Sequence, residues 1–257
     1  MERLSRGAAD VRGTDNYVRL FTADTVFWRA FGNTLIWVFL SMIVPVGVGL
    51  LLALALNRPL FGRNVFRSVF YIPGVIASIA VANVWRWMYN PTLGVTASLG
   101  DMLGIPWLND IAWLGNPDLA LYSIFAAFVW QIVGTNMVLF LAGLQGVSQD
   151  HIEAAQVDGA NRFQVFRNVT LPALRPALVV VVVTTVIHSI KLFDLVVGMT
   201  GGGPAQRTQV LALWSYTQSL VNGDYGAGNA ISTVLLVLTL VVVVPYILWN
   251  ARQLRQS

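Results

Sequence analysis

Residues Glu153–Pro172 read EAAQVDGANRFQVFRNVTLP, a polar and charged stretch set between two apolar runs, 119–144 and 176–199. Each run exceeds the roughly 20 residues a helix needs to cross a bilayer. A polar connection of this size between two spans is either disordered or docked onto something in water, and its pattern argues for docking. Ile152–Val157 and Phe163–Val169 predict two short amphipathic helices, with Gly159 at the sharp turn between them. Leu171-Pro172 is expected to stop the second helix before the next span opens at Pro176, because proline lacks the backbone donor that a helix interior uses.

Composition points the same way. Hydrophobic residues are 56% of the 257 and charged residues only 11%, where soluble domains carry about a quarter charged residues. Such a chain cannot cover its surface in water. It has no cysteine, which excludes disulfides and thiolate chemistry, and its two histidines, His151 and His188, are far apart. No metal site and no catalytic residue is expected. The net charge of +4 does not point to nucleic acid, since the arginines gather at the edges of apolar runs rather than along a groove.

The predicted fold is all-α, a polytopic membrane helical bundle with five spans: Phe31–Leu56, Val65–Tyr89, Leu119–Leu144, Pro176–Met199 and Ala230–Asn250. A polar N-terminal segment (1–29) precedes the membrane region (30–252), and a short tail (253–257) ends the chain. Pro45 and Pro73 are expected to bend the first two spans. Trp28, Trp85, Trp87 and Trp249 fall near span ends, where indole favours the headgroup layer. Arg58, Arg63 and Arg67 flank the first connection, Arg162, Arg167 and Arg175 lie in the loop 145–175, and Arg252 and Arg255 lie at the C-terminal end. The positive-inside rule makes those segments cytoplasmic. Five spans then put the N-terminus outside, although Arg3, Arg6, Arg12, Arg19 and Arg29 lie there and no signal peptide is evident.

The loop carries a resemblance. Glu153-Ala154-Ala155, Gly159, Val169 and Leu171-Pro172, at these spacings, resemble the EAA signature of bacterial ABC-importer permeases, with Val169 where Ile is usual. Asn57-Arg58, Gly62-Arg63, Pro73, Trp85-Arg86-Trp87, Asn90-Pro91, Leu144-Gln145 and the TGGGP element Thr200–Pro204 extend it over about Asp15–Arg252, and resemble the carbohydrate (maltose and glycerol-phosphate) type. Asp15-Asn16-Tyr17-Val18-Arg19-Leu20 resembles the segment after the first of six spans in that family, so the resemblance implies that the first span is lacking here. It implies a transmembrane permease domain in a bacterial cytoplasmic membrane. The implied partners are cytoplasmic ATP-binding subunits, a second permease as a heterodimer, an extracytoplasmic solute-binding protein and a sugar. ATP and Mg are used by the partner ATPase, and this chain binds no cofactor. Glu153 is cast as a charge partner in the ATPase cleft, Ala154, Ala155 and Ala160 as small docking residues, and Gly159 as the turn. Asp158 is either a cap for the second short helix or an intersubunit contact.

Polar residues within spans are expensive in lipid and face cavities or partner helices. Candidates for solute contact are Ser78 and Asn83 on the second span, Trp130, Gln131 and Asn136 on the third, with Thr135 beside them, and Thr185, His188, Ser189 and Lys191 on the fourth. Ser78 and Ser189 also lie where the resemblance places sugar contacts. Lys191 and Asp194 are spaced to pair along one helix. Each residue has an alternative, since Ser and Thr bond their own helix backbone and Asn and Gln join helices. Gly201–Pro204 reads as a flexible turn, because no Lys-Ser/Thr comes after it as in a phosphate loop. The loop Asn90–Asp118 reads as a compact surface segment; it and 201–229 are candidate docking surfaces for a binding protein. An amino-acid or polyamine permease, and more remotely an ion-coupled secondary transporter, remain alternatives.

Overall fold

The computed structural model describes residues 14–254, and among them the chain is helical with no strand. Arg3, Arg6, Arg12 and Arg255 lie outside the described residues. The order is α1 (Asp15–Ala23), α2 (Thr25–Leu56), α3 (Arg63–Val75), α4 (Ser78–Met88), α5 (Val95–Leu103), α6 (Ala120–Gln145), α7 (Gln149–Val157), α8 (Arg162–Val165), α9 (Leu171–Ala173), α10 (Arg175–Ile190), α11 (Asp194–Met199), α12 (Leu211–Tyr216) and α13 (Tyr225–Leu254).

Among the described residues, only α2, α6 and α13 are single helices long and apolar enough to cross a membrane. The two other expected spans are broken. The segment 65–89 is α3 and α4, bent by 102°. The chain is extended at Ile76 and Ala77 (ψ 137° and 134°), three residues beyond Pro73, which is buried inside α3. The segment 176–199 ends as a helix at Ile190 and restarts at Asp194. No proline or glycine marks that second break. Lys191 closes the negative end of α10 and Asp194 opens the positive end of α11, so each charge sits where the local helix dipole favours it. The two are not ion-paired, contrary to the pairing expected along a continuous helix. Pro45 lies within α2 without ending it.

Within the described part of the N-terminal segment, α1 and the first turns of α2 are helical. Asp24 accepts from the backbone N–H of Phe27 at 2.8 Å, which caps α2 six residues earlier than expected, and from Trp214 Nε1 at 2.8 Å. One bond starts the span and the other pins its first turn to α12.

Three apolar clusters hold the bundle. At one end Trp37 of α2 packs edge-on against Phe125 and Phe128 of α6 (centroids 5.2 and 5.5 Å apart), over Val81, Ala82 and the α11 residues Leu195 and Val196. At the other end Leu56, Leu144, Leu174 and Val181 join α2, α6 and α10. The third cluster seats α1 on α12 and α13 through Leu20, Phe27, Leu211 and Ile231. Val69, Ile72, Leu236, Val237 and Leu240 stay exposed on α3 and α13, as expected of surfaces solvated by acyl chains.

The end bearing Tyr89 and Met199 is ordered. Tyr89 stacks on Trp113 at 5.6 Å, and the loop 90–118 carries α5 and a 3-10 turn, Pro106–Leu108. The TGGGP element is a built corner, not the flexible turn expected. Thr208 is fully buried and donates to the Gly203 carbonyl at 2.7 Å, and its Oγ1 lies 2.7 Å from Thr200 Oγ1. Arg29 and Asn33 of α2 donate to the carbonyls of Ala205, Arg207 and Gln209 at 2.8–3.0 Å.

Candidate functional site

Two features stand out from the bundle. The first is a helical hairpin, α7–α9, between the ends of α6 and α10. No residue of α7 is buried, and Val157 and Phe163 stand 87% and 68% exposed. Gly159 makes the turn with φ +86°, a left-handed conformation that a side chain disfavours. Glu153 is exposed and accepts from Gln149 Nε2 at 3.1 Å one turn earlier, Ala154 is exposed, and Ala155 and Ala160 are half-buried in the angle of the hairpin.

Two expectations are corrected here. Asp158 ends α7 and does not cap the next helix. Asn161 does: its Oδ1 accepts from Gln164 N at 2.9 Å, while Gln164 Oε1 accepts from Asn161 N at 2.8 Å, a reciprocal capping box. The signal was legible as Asn-x-x-Gln, just after Gly159. Leu171-Pro172 does not stop the helix either. A π-turn over Phe166–Thr170 widens the ladder just before Pro172, so the proline enters at the first turn of α9, where its missing N–H does little harm. The chain bends, by 68°, between α9 and α10.

The second feature is a cavity of about 560 Å³ where the two helix breaks meet the middle of α6. Ile76, Ala77 and Ser78 come from the α3–α4 break, Lys191, Leu192 and Phe193 from the α10–α11 break. Gln131, Thr135 and Asn136 of α6 and Thr184 and His188 of α10 also line it. Non-helical backbone at membrane depth is tolerated only where protein or a cavity satisfies its polar groups. Gln131 does so here, donating through Nε2 to the Ile76 carbonyl at 3.0 Å and to Ser78 Oγ at 3.2 Å. No metal-competent group of three His, Asp or Glu side chains occurs among the described residues.

The structure thus brings together Ser78, Gln131, Asn136, His188 and Lys191 of the sequence candidates. Four others lie elsewhere. Asn83 donates to its own helix at the Ile79 carbonyl (2.9 Å), and Trp130 packs on Trp85 at 5.9 Å outside the cavity. Thr185 and Ser189 are buried between helices: Ser189 Oγ donates to the Thr185 carbonyl at 2.8 Å, and Thr185 Oγ1 to Asn136 Oδ1 at 3.2 Å. Sequence reading missed Thr184, one turn before His188 on the cavity side, and the break at 191–193 whose backbone forms a wall.

Comparison with known proteins fits this geometry. The family described as binding-protein-dependent transport system inner membrane component matches residues 45–254. The trehalose/maltose transport system permease protein MalF of Thermococcus litoralis is 37% identical over 235 residues, covering 91% of this chain and 78% of that one. The multiple sugar-binding transport system permease protein MsmF of Streptococcus mutans is 32% identical over 229 residues, 89% of this chain and 77% of that one. A crystal structure of a bacterial ABC transporter involved in the import of the acidic polysaccharide alginate superposes with a TM-score of 0.83 at 26% identity, over 93% of this chain and 84% of that one. With exposed EAA hairpin, broken helices and polar cavity all in place, the chain belongs to the family of binding-protein-dependent transport system inner membrane components, the permease subunits of ABC importers.

Proposed function

We propose that this permease carries a sugar or sugar derivative across the membrane through the cavity at the helix breaks, driven by a separate ATPase gripped at the α7–α9 hairpin. The observation that carries the reading is the pairing of these two features: α10 runs from the hairpin at Arg175 to the cavity at Lys191, so displacement of the hairpin reaches the solute site along one rigid helix. Ser78, Gln131, Asn136, His188 and Lys191 supply the hydroxyl, amide and charged groups that hold polyhydroxylated solutes, and relatives bear the names of trehalose, maltose and other sugar systems. Trp130 lies next to Gln131 but outside the cavity, and is not needed by this reading.

Arg58, Arg63, Arg67, Arg162, Arg167 and Arg175 gather at the hairpin end, which supports a cytoplasmic hairpin and C-terminus in a bacterial inner membrane. The opposite end, with α5, the TGGGP corner and α12, then faces the binding protein. Glu153, Ala154, Ala155, Asp158, Gly159 and Ala160 form the ATPase-facing tip, and a second permease completes the path. ATP acts by binding one arrangement of the ATPase pair better than the other, and the hairpin passes that preference to the spans.

The test is mild-detergent purification of the tagged chain with quantitative mass spectrometry. Stoichiometric recovery of an ABC ATPase and a second permease, with the ATPase lost from Gly159→Pro, is expected. A chain recovered alone and monodisperse overturns the proposal.

A further inference from the structure

Asn136 is the least exposed polar residue of the cavity wall, at 1%. Its side chain is held on two sides. Against its Cβ lies Gly49 of α2, so closely that a methyl on Gly49 would come within 2.7 Å. Its Oδ1 accepts the Thr185 hydroxyl at 3.2 Å, from a residue that is fully buried and outside the cavity wall. Nδ2 alone has no hydrogen-bond partner. A buried amide donor left unmatched is destabilising unless some state of the protein supplies an acceptor. Gln131 Nε2 already donates to Ser78 Oγ and to the Ile76 carbonyl, so that donor is committed to holding the helix break.

The geometry points to Asn136 Nδ2 as the donor that selects a solute oxygen in the cavity, and to Thr185 as a positioning residue that sets which end of the amide is offered. This rests on the sugar-permease reading and deepens it. An asparagine amide offers donor or acceptor according to its flip, and the two ends are chemically opposite. With Thr185 donating to Oδ1, the donor end is left for the solute. Without that hydroxyl nothing on the buried side fixes the flip, and the site loses selectivity while keeping its volume. Thr185 therefore acts through Asn136, which separates it from the residues that line the cavity.

The test uses the full importer in proteoliposomes, with maltose, trehalose, xylose and arabinose as probes. Maximal uptake rates are measured beside thermal melting of the detergent-solubilised complex. Asn136→Asp keeps shape, removes the donor and places a carboxyl group there, whose cost the melting measurement reads; Thr185→Val keeps shape and removes the hydroxyl; Thr185→Ser restores it. For the sugar that wild type carries, both Asn136→Asp and Thr185→Val are expected to lower the maximal rate about threefold to tenfold, the loss of one hydrogen bond. The double variant is expected to be no worse than Asn136→Asp alone, because both changes remove one interaction. Thr185→Ser is expected to stay near wild type. A merely structural threonine in so buried a place tolerates valine, so a melting point kept or raised by Thr185→Val while uptake falls marks positioning. Wild-type uptake by Thr185→Val or Asn136→Asp, or losses that only track a fall in melting point, would overturn the assignment. If wild type takes up none of the four sugars and no other mono-, di- or oligosaccharide stimulates its ATP hydrolysis, the sugar reading itself fails, and this inference with it.

Discussion

Alanine at Gly134 tests the architecture where two helix backbones cross most closely. The α3–α6 crossing places Gly134 directly under the Phe70 peptide. A Cβ there would overlap the Phe70 carbonyl oxygen and lie 2.6 Å from its carbon and 2.9 Å from Tyr71 Cα. All three atoms are backbone, so no rotamer change relieves the clash and α3 must move away by roughly an ångström. Overpacking of this kind destabilises by about 1–3 kcal/mol, a factor of roughly 5 to 150 in the equilibrium between packed and unpacked states. The movement also pulls Ile76 from Gln131 Nε2, now at 3.0 Å, and so opens the α3–α4 break that walls the cavity. Gly134→Ala is therefore expected both to melt earlier in detergent and to lose most uptake in proteoliposomes. Gly47→Ala is the control, since a Cβ there meets nothing within 4 Å and alanine is the better helix former by about 1 kcal/mol. Equal melting and equal uptake for the two variants would refute the close crossing.

Three further outcomes rest on the same geometry. Gly159→Pro removes the N–H that donates to the Gln156 carbonyl at 3.0 Å and forbids φ +86°; it is expected to abolish sugar-stimulated ATP hydrolysis with the chain still in the membrane, Gly159→Asn to retain much of it, and equal activity of the two would refute the turn. Exchanging the charges as Lys191→Asp with Asp194→Lys sets each against its half-helix dipole, about 0.3–1 kcal/mol apiece; the exchange is expected to melt earlier than Lys191→Gln with Asp194→Asn, whereas rescue would mean the two pair directly. Asp224 lies just before α13 and 2.5 Å from Arg19. The Ala227 backbone N–H, and then Arg19, hold its carboxyl below the usual 3.8. A depressed carboxyl contributes its stability above the unfolded-state value and loses it as pH falls through the folded one, so the melting difference between wild type and Asp224→Asn is expected to vanish below that range; a difference that persists there counts against the contact.

The apolar runs, the EAA spacing and the Gly159 turn were legible because each rests on local chemistry: hydropathy over one helix length, small residues at fixed intervals, a position only glycine fills easily. The helix breaks were less so. Pro73 announced a bend, but the extended pair lies beyond it at Ile76-Ala77, where Gln131, 55 residues away, satisfies the freed carbonyl. Nothing local marks 191–193 except two opposite charges, and these read more simply as an ion pair. The same limit applies within the site. Past Ile190 the chain leaves the helix, so the directions taken by Lys191, Leu192 and Phe193, which wall the cavity, could not be read from helical spacing. Helical periodicity assigns faces only while the helix continues.

The convergence of both breaks on one cavity has a physical cause. Unwound backbone in hydrocarbon costs several kcal/mol for each unsatisfied group, so neither break is tolerable against lipid. Both open onto one cavity beside α6 and have polar neighbours there: Gln131 bonds the α3–α4 break, while Lys191 and Asp194 cap the facing ends of α10 and α11. The polar groups that make the breaks tolerable in a membrane are the same ones a hydroxylated solute can bond, and the break after Ile190 lies at the end of α10 far from the hairpin. A permease that kept α10 straight would carry the motion past the cavity. Under the coupling proposed above, ending α10 at Ile190 would deliver that motion to the cavity wall, where a change in shape alters access to the solute.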